Sequence, residues 1–339
     1  MEKKRQILAL TKRQFITVRR LSGDGLALSV IACAMPPLPK GEAFKGGFCF
    51  SAQGMVYWKR KNPPTRREKG EWYHENEIWH RGLRLPRQYR ADAWKKGLLE
   101  DYELVGVTSR TFASAEKTAA SVGCAACADV DALLALEPEY IVEAASVEAV
   151  RAMAVPVLRR GVNLVVLSIG AFADLAFYEE VKQTAREGGA KVHLASGAIG
   201  GFDVLQTVTL MAEALKLDEK AGIETHTGAK GFRNTPVWAD HLLTDTEKTT
   251  VFTGSAKEAI ATFPRRVNVA VATSLATTGP DVTGVTMHSV PGWVGDDHCI
   301  TAEIEGVKAV VDICSSTSAI AGWSAVALLR NLASPVCFY

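Results

Sequence analysis

Short apolar runs alternate with amphipathic stretches from about residue 100 onward. The runs, which predict strands, lie at residues 103–107, 140–144, 163–167 and 191–195. The stretches between them, which predict helices, lie at 114–122, 147–160 and 175–187. Parallel strands that are buried on both faces are continuous apolar runs, and helices connect them. The pattern therefore predicts an α/β fold with a doubly wound parallel sheet, whose ligands bind at the carboxyl ends of the strands.

The pattern changes after Gly200. A helix is predicted at 202–215, β-rich segments at 221–227, 282–289 and 298–311, and a final Ala-rich helix at 317–332. This succession is typical of a mixed α+β substrate domain. We therefore expect a Rossmann-type parallel domain at 98–196 and an α+β domain at 197–316. A C-terminal helix and tail, residues 317–339, should pack back on the nucleotide domain.

Residues 1–97 form an atypical basic segment. They contain 21 Lys and Arg against 8 Asp and Glu, whereas the rest of the chain contains 18 and 29. No sustained period of 2 or 3.6 is visible in them. A dinucleotide-binding domain needs its first strand and a glycine-rich turn at about residues 75–90, and G-x-G-x-x-G is absent there. We therefore expect a partial or degraded Rossmann sheet that lacks its first strand and its Gly-rich turn.

Two hypotheses account for the basic segment. Arg84, Arg87 and Arg90 recur every three residues. If their codons are CGG, reading one base later turns residues 84–90 into Gly-Tyr-Pro-Gly-Asn-Ile-Gly, so the segment would be out of frame or disordered. The alternative is a basic, Trp-bearing module that binds nucleic acid and is carried on a catalytically inactive Rossmann remnant.

The composition indicates the cellular compartment and argues against a membrane span and a metal site. No apolar run reaches the ~18 residues that span a bilayer, so no membrane partner is expected. The seven cysteines are scattered, which suits a reducing cytoplasm rather than a disulfide framework. Cys124 and Cys127 have metal-ligand spacing, but no second Cys/His pair follows them, so no metal site is expected.

Small and polar residues follow the predicted strands. Ala145 and Ser146 end one strand, and Ser168 and Gly170 end the next, which would let a dinucleotide approach the backbone. Residues 196–201 join a strand to a helix N-terminus, a site for a polar or anionic ligand, or a tight turn that needs glycine for its geometry.

Two further sites, Ser109-Arg110 and Asn268, also have a purely structural interpretation. Ser109 and Arg110 follow the second strand, where they would suit the 2′-phosphate of NADP, although a solvated surface Arg is the alternative. Asn268 opens a predicted apolar helix and could serve as its N-cap.

Four segments, in this order along the chain, resemble the aspartate dehydrogenase family. They are residues 142–150 (VEAASVEAV), 164–172 (LVVLSIGAF), 195–201 (ASGAIGG) and 263–270 (FPRRVNVA), with His298 downstream. Any one of them is a weak signal, whereas the combination covers about residues 98–339. The resemblance implies an NAD- or NADP-dependent enzyme that oxidises L-aspartate to iminosuccinate and oxaloacetate and feeds NAD biosynthesis. It further implies that residues 98–196 bind NAD(P) and that residues 197–316 form the catalytic and dimerisation domain of a cytoplasmic homodimer or higher homo-oligomer.

The resemblance also implies roles for individual residues. Ala198 would contact the cofactor, Asn268 would hydrogen-bond the nicotinamide carboxamide, and His298 would be the catalytic general acid/base. The family carries Asn where Asp296 stands, so we expect this carboxylate to raise the pKa of His298. The family's Lys-Thr-Ser is replaced at 315–318 by Ser-Ser-Thr-Ser, which leaves Lys230 and Arg233 as candidate partners of the substrate carboxylates.

Overall fold

The computed structural model describes residues 76–81, 93, 96–264 and 267–338. The described residues all belong to one compact unit, Trp72–Tyr339. The glycine-rich turn expected up to residue 90 lies outside the described residues. So do the arginines of the frame hypothesis and most of the proposed nucleic-acid-binding segment.

The first sheet is parallel and has the strand order β3-β2-β1-β4-β5-β6. Its strands are β1 (Asn76–Arg81), β2 (Tyr102–Thr108), β3 (Ala125–Cys127), β4 (Tyr140–Glu143), β5 (Asn163–Val166) and β6 (Val192–Leu194). This is the order of a dinucleotide-binding domain, in which the chain reverses its direction of winding between β1 and β4. The predicted doubly wound α/β class is confirmed.

The expectation of a missing first strand is wrong. Strand β1 lies in the centre of the sheet and pairs in parallel with β2 on one side and with β4 on the other. Its sequence, Asn-Glu-Ile-Trp-His-Arg, has no apolar run, so pairing with two neighbouring strands rather than hydrophobic pattern defines it. The nucleotide-binding sheet therefore begins before residue 98, and β1 fills the place between β2 and β4.

Helices cover both faces of this sheet. They are α1 (Phe112–Val122), α2 (Val130–Leu134), α3 (Val147–Arg159) and α4 (Leu175–Gly188). Along β4, Ile141 and Val142 are both fully buried, although successive side chains of a strand point to opposite faces. Ile141 belongs to the large core cluster, which also contains the buried face of α3, whereas Val142 belongs to a second cluster.

The second sheet is mixed and has the order β11-β10-β7-β9-β8. Its strands are β7 (Lys220–Thr227), β8 (Thr249–Ser255), β9 (Gly284–Ser289), β10 (Asp296–Ile304) and β11 (Val307–Ser315). Three further helices accompany it, α5 (Phe202–Leu215), α6 (Ala256–Thr262) and α7 (Asn268–Ala276). The β-rich segment predicted at 298–311 is an antiparallel hairpin of β10 and β11.

The C-terminal helix α8 (Ala319–Ala333) packs on the first sheet. Its residues Ala325, Val326 and Leu329 share a buried cluster with Val142 of β4. The Tyr102 hydroxyl of β2 donates a hydrogen bond of 2.7 Å to the Leu329 carbonyl. Among the described residues, no helix is both long and apolar enough to cross a bilayer.

Candidate active site

A cleft of about 530 Å³ brings the strand ends of the first sheet together with one face of the second. Of the sequence-predicted site residues, five line it: Ala145, Ser168, Ala198, Asn268 and His298. Its volume lies within the range of about 300–1,000 Å³ that small-molecule sites occupy. The cleft therefore unites these five of the eleven predicted site residues, although they are up to 153 positions apart in sequence.

Glu143, at the end of β4, organises the strand ends that border the cleft. Its side chain is completely buried. It accepts hydrogen bonds from the backbone N–H groups of Ala145, Ser146, Leu167 and Ser168 and from the Ser168 hydroxyl. One carboxylate thus ties the turn after β4 to the turn after β5, because its two oxygens can accept all of these bonds. Glu143 is not among the site residues predicted from the sequence, although a single acidic residue within a buried apolar strand is a signal that could have identified it.

We expect Glu143→Gln to loosen these strand ends. The amide keeps only one acceptor oxygen, and each buried N–H left without an acceptor costs about 1–3 kcal/mol. The free energy of unfolding should fall by about 2 kcal/mol or more, and the Kd for NAD(P)H should rise. Urea unfolding and fluorescence titration measure the two effects. Glu213→Gln, at an exposed position of α5, is the control and should change neither.

Asn268 and Gly170 form the next contact along the cleft. The Gly170 N–H donates to Asn268 Oδ1 over 2.8 Å. A Cβ atom added to Gly170 would lie 2.8 Å from that oxygen and 3.3 Å from Val147 Cγ2, so glycine is required for the close approach. Asn268 is the first residue of α7, whereas Val267 occupies the cap position and makes no side-chain cap bond. The N-cap interpretation of Asn268 is therefore wrong.

Ser146 has a structural task. Its hydroxyl accepts from the Ala149 N–H over 3.2 Å and so caps α3. Ala145 rather than Ser146 reaches the cleft. The predicted cofactor contact of Ser146 thus has no direct support from the cleft geometry.

The loop 196–199 contributes backbone to the cleft between β6 and α5. The Gly197 N–H donates to Ser324 Oγ of α8 over 2.9 Å, which fixes the loop against the C-terminal helix. Gly201, at the start of α5, has φ +71° and packs against Val311, so both its conformation and the space exclude a side chain. The glycines of this loop therefore meet a local geometric need, and the loop that they shape borders the cleft; ligand binding by the loop stays a prediction.

Ser109 and Arg110 lie just beyond the carboxyl end of β2. Arg110 is exposed, and neither residue lines the cleft. Strand β2 neighbours β1 in the sheet, so both residues stand at the edge where the ligand of a dinucleotide-binding sheet binds. Their position is compatible with the predicted contact to a 2′-phosphate.

His298 on β10 faces the cleft from the second sheet. Its side chain is 6% exposed, and Nδ1 lies 3.0 Å from the Thr225 hydroxyl of β7. Burial lowers the pKa of His298, and the carboxylates of Asp296 and Asp297 only partly oppose this effect. The expectation that Asp296 raises the pKa is therefore wrong in its net direction, because loss of hydration outweighs the two charges. At neutral pH the imidazole is neutral and able to accept a proton.

Lys230 and Arg233 belong to the turn around the 3-10 helix Ala229–Phe232. Gly231 and Phe232 line the cleft, whereas Lys230 and Arg233 are exposed. The Arg233 guanidinium lies 5.6 Å from the ring centroid of Trp238. The structure thus brings this turn to the cleft but not the two cations themselves.

Comparison with known proteins matches two family models. Residues 208–332 match the C-terminal domain of aspartate dehydrogenase, and residues 85–195 match the NAD-binding domain of homoserine dehydrogenase. The crystal structure of aspartate dehydrogenase from Thermotoga maritima superposes with a TM-score of 0.57 at 25% identity. That superposition covers 78% of this chain and 100% of the other.

Individual relatives carry the same name. The L-aspartate dehydrogenase of Archaeoglobus fulgidus is 37% identical over 153 residues, 45% of this chain and 56% of that one. A Methanococcus maripaludis L-aspartate dehydrogenase is 29% identical over 249 residues, 70% of this chain and 90% of that one. The L-aspartate dehydrogenase of Acinetobacter baylyi is 33% identical over 208 residues, 57% of this chain and 75% of that one. With the match to the C-terminal family model and the superposition on the Thermotoga maritima structure, these similarities show that the chain belongs to the L-aspartate dehydrogenase family.

Proposed function

We propose that this chain catalyses the NAD(P)-dependent oxidation of L-aspartate to iminosuccinate, which water converts to oxaloacetate and ammonia. The observation that carries the proposal is the neutral, buried His298 in the same cleft as the small-residue strand ends and Asn268. The family membership supports the choice of substrate.

The residues of the cleft fit a dinucleotide. Ala145 and Ala198 present little side chain at the carboxyl ends of β4 and β6, and Gly170 tolerates no Cβ. Because the Gly170 N–H fixes Asn268 Oδ1 as an acceptor, Nδ2 is the amide atom that could donate to a nicotinamide carboxamide. When bound, the nicotinamide supplies the acceptor for the hydride that leaves Cα of the substrate.

His298 is proposed to act as the general base. Thr225 holds its Nδ1, so Nε2 is the nitrogen that remains for the substrate. A neutral Nε2 would accept a proton from the α-ammonium group, which frees the nitrogen lone pair to form the imine. The same protonated imidazole could later return a proton to the departing ammonia.

The direct test is an assay of NAD(P)H formation at saturating cofactor. L-Aspartate should support turnover, whereas D-aspartate, L-glutamate and L-homoserine at equal concentration should support little. Oxidation of L-homoserine in preference to L-aspartate would assign the chain a different dehydrogenase activity. The absence of turnover with all four amino acids would favour the alternative, a nucleic-acid-binding module on a catalytically inactive Rossmann remnant.

The pH profile should report the lowered pKa of His298. The base form exists above that pKa, so kcat/KM for aspartate should stay nearly constant as the pH falls toward 6.5, the ordinary value, and decline only below it. Because Asp296 raises the pKa, Asp296→Asn should shift the acidic limb to still lower pH. A limb with its midpoint above 6.5 in the unaltered protein would contradict this assignment.

Arg110 is proposed to favour NADP through the 2′-phosphate. A charge-assisted hydrogen bond contributes about 1.5–3 kcal/mol, so Arg110→Ala should raise the Kd for NADP about 10-fold or more. The Kd for NAD should not change. Fluorescence titration with each reduced cofactor measures both constants. Equal changes for the two cofactors, or none, would refute a role in cofactor preference.

We also propose that the protein works as a homodimer or higher homo-oligomer in the cytoplasm. The family resemblance supports this assembly, and the scattered cysteines suit a reducing compartment. Light scattering during gel filtration determines the assembly.

A further inference from the structure

The second sheet carries polar groups on the face that is turned away from the cleft. Thr225 and His298 line the cleft, and successive side chains of a strand point to opposite faces. His226 and Asp297, each the next residue along its strand, therefore lie on the other face. There His226 is paired in register with Asp297 on β10 and with His288 on β9.

Three side chains on this face converge on one point. Glu224 Oε1 lies 3.1 Å from His226 Nε2 and 2.8 Å from His288 Nε2. One ligand atom from each residue falls within 4.8 Å of the others. Zn–N distances of about 2.0–2.1 Å at tetrahedral angles put neighbouring ligand atoms about 3.3 Å apart. The two distances from Glu224 Oε1, 3.1 and 2.8 Å, are shorter than this spacing by half an ångström or less.

His226 Nε2 has two neighbours in the cluster that require it to be in different protonation states, a hydrogen-bond donor and an acceptor. The Lys248 ammonium lies 3.3 Å from His226 Nε2 and 3.4 Å from Glu224 Oε1. An ammonium group only donates, so His226 Nε2 must accept from it and cannot also donate to Glu224. A cation that takes lone pairs from both imidazoles and from the carboxylate removes this conflict. Lys248 now supplies a positive charge at that place, but its side chain is 49% exposed and free to withdraw.

The outer nitrogen of each ring lies beside a side-chain oxygen, the kind of neighbour that orients metal-binding histidines. The Thr250 hydroxyl lies 3.0 Å from His288 Nδ1, and Asp297 Oδ2 lies 3.3 Å from His226 Nδ1. Contacts of this kind orient a histidine so that its other nitrogen faces the metal. The second contact is not aligned as a hydrogen bond, and His226 Nδ1 is buried without one.

We propose that Glu224, His226 and His288 form a binding site for a divalent transition-metal ion, with Zn²⁺ the best match to two imidazoles and one carboxylate. The ion competes with the Lys248 ammonium for the same place. It links β7 to β9 directly and reaches β10 through Asp297, so it stabilises the part of the sheet that carries His298 on its opposite face. The site is separate from the proposed active site and does not depend on the proposed activity.

Calorimetric titration of the full chain, freed of metal, with ZnCl₂ tests the site. We expect one Zn²⁺ per chain and a higher melting temperature with zinc. His226→Gln and His288→Gln should each weaken binding more than about 100-fold, since even the loss of a residue that only orients a metal ligand costs about 10–100-fold. Lys248→Ala should tighten it about 3- to 10-fold, because a competing positive charge is gone. His241→Gln, at an exposed histidine that is paired with Asp245, is the matched control and should change nothing.

Two results would overturn the proposal. One is the absence of saturable zinc binding by the unaltered chain. The other is unchanged binding in His226→Gln and His288→Gln, which would assign the zinc to other groups such as His298. If those two variants fail to fold, Lys248→Ala tests the site instead, since a surface lysine is dispensable for folding. A zinc affinity that does not rise in this variant would contradict the site. None of these measurements uses enzyme activity.

Discussion

His298→Ala is expected to lower kcat for L-aspartate oxidation about 10²–10⁴-fold, the usual contribution of a positioned general acid/base. The loss should fall on turnover rather than on cofactor binding, because His298 lies on the second sheet, whereas the proposed cofactor contacts lie at the strand ends of the first sheet and at the start of α7. Steady-state kinetics and NAD(P)H fluorescence titration separate the two quantities. A variant within a few-fold of the unaltered enzyme would rule out the proposed role.

Thr225→Val is the companion variant. It removes the hydroxyl that lies 3.0 Å from His298 Nδ1 and keeps the imidazole. Turnover should fall less than in His298→Ala, since the ring loses its orientation but not its proton-accepting nitrogen. The acidic limb of the pH profile should also move, which a purely structural effect would not cause. His241→Ala, at an exposed position of the same domain, should leave both kcat and the pH profile unchanged.

The sequence predicts the fold best where burial is complete. β4 and β5 are buried on both faces and are continuous apolar runs, so their predicted bounds differ by one residue from those observed. Helix α5 has its predicted bounds, Phe202–Leu215. In contrast, β8 is the edge strand of its sheet and has the sequence Thr-Thr-Val-Phe-Thr-Gly-Ser, a pattern too polar to predict. Strand β1 lies in the centre of its sheet, but its sequence, Asn-Glu-Ile-Trp-His-Arg, is also too polar to predict a strand.

The sequence predicted several residues of the site correctly, but it did not predict the protonation behaviour of His298. Ala145, Ser168, Ala198, Asn268 and His298 follow from strand ends and family resemblance, and the cleft unites them. The pKa of His298 was predicted in the wrong direction, because a neighbouring carboxylate is visible in a sequence but the extent of burial is not. Glu224, His226 and His288 were not recognised as a group, since β-sheet pairing joins positions that lie 62 residues apart.

Replacing residues 84–90 by Gly-Tyr-Pro-Gly-Asn-Ile-Gly is expected to raise the affinity for NAD(P)H about 10- to 100-fold. β1 ends at Arg81 in the centre of the nucleotide-binding sheet, which is where such domains begin their phosphate-binding turn. The residues that follow carry Arg84, Arg87 and Arg90. Glycine allows the backbone N–H groups to approach a pyrophosphate closely, and each charge-assisted hydrogen bond contributes about 1.5–3 kcal/mol.

The control separates glycine geometry from arginine charge. Arg84, Arg87 and Arg90 changed together to Ala remove the three cations without providing glycine. If glycine geometry limits binding, the Ala variant should bind NAD(P)H no better than the unaltered chain, since it also loses the attraction between arginine and phosphate. If the bulk of arginine is the obstacle, both variants should improve. Calorimetric titration of the three proteins distinguishes these cases.

Tight NAD(P)H binding by the unaltered 339-residue chain would contradict the frame hypothesis. It would mean that the basic segment supports the cofactor as it stands, with arginines rather than glycines next to the phosphates. Sequencing the gene across codons 75–100 gives an independent answer, because the hypothesis requires CGG codons at the three arginines. Since β1 is already paired on both sides, a shifted reading frame need only supply the turn after it and not a new central strand.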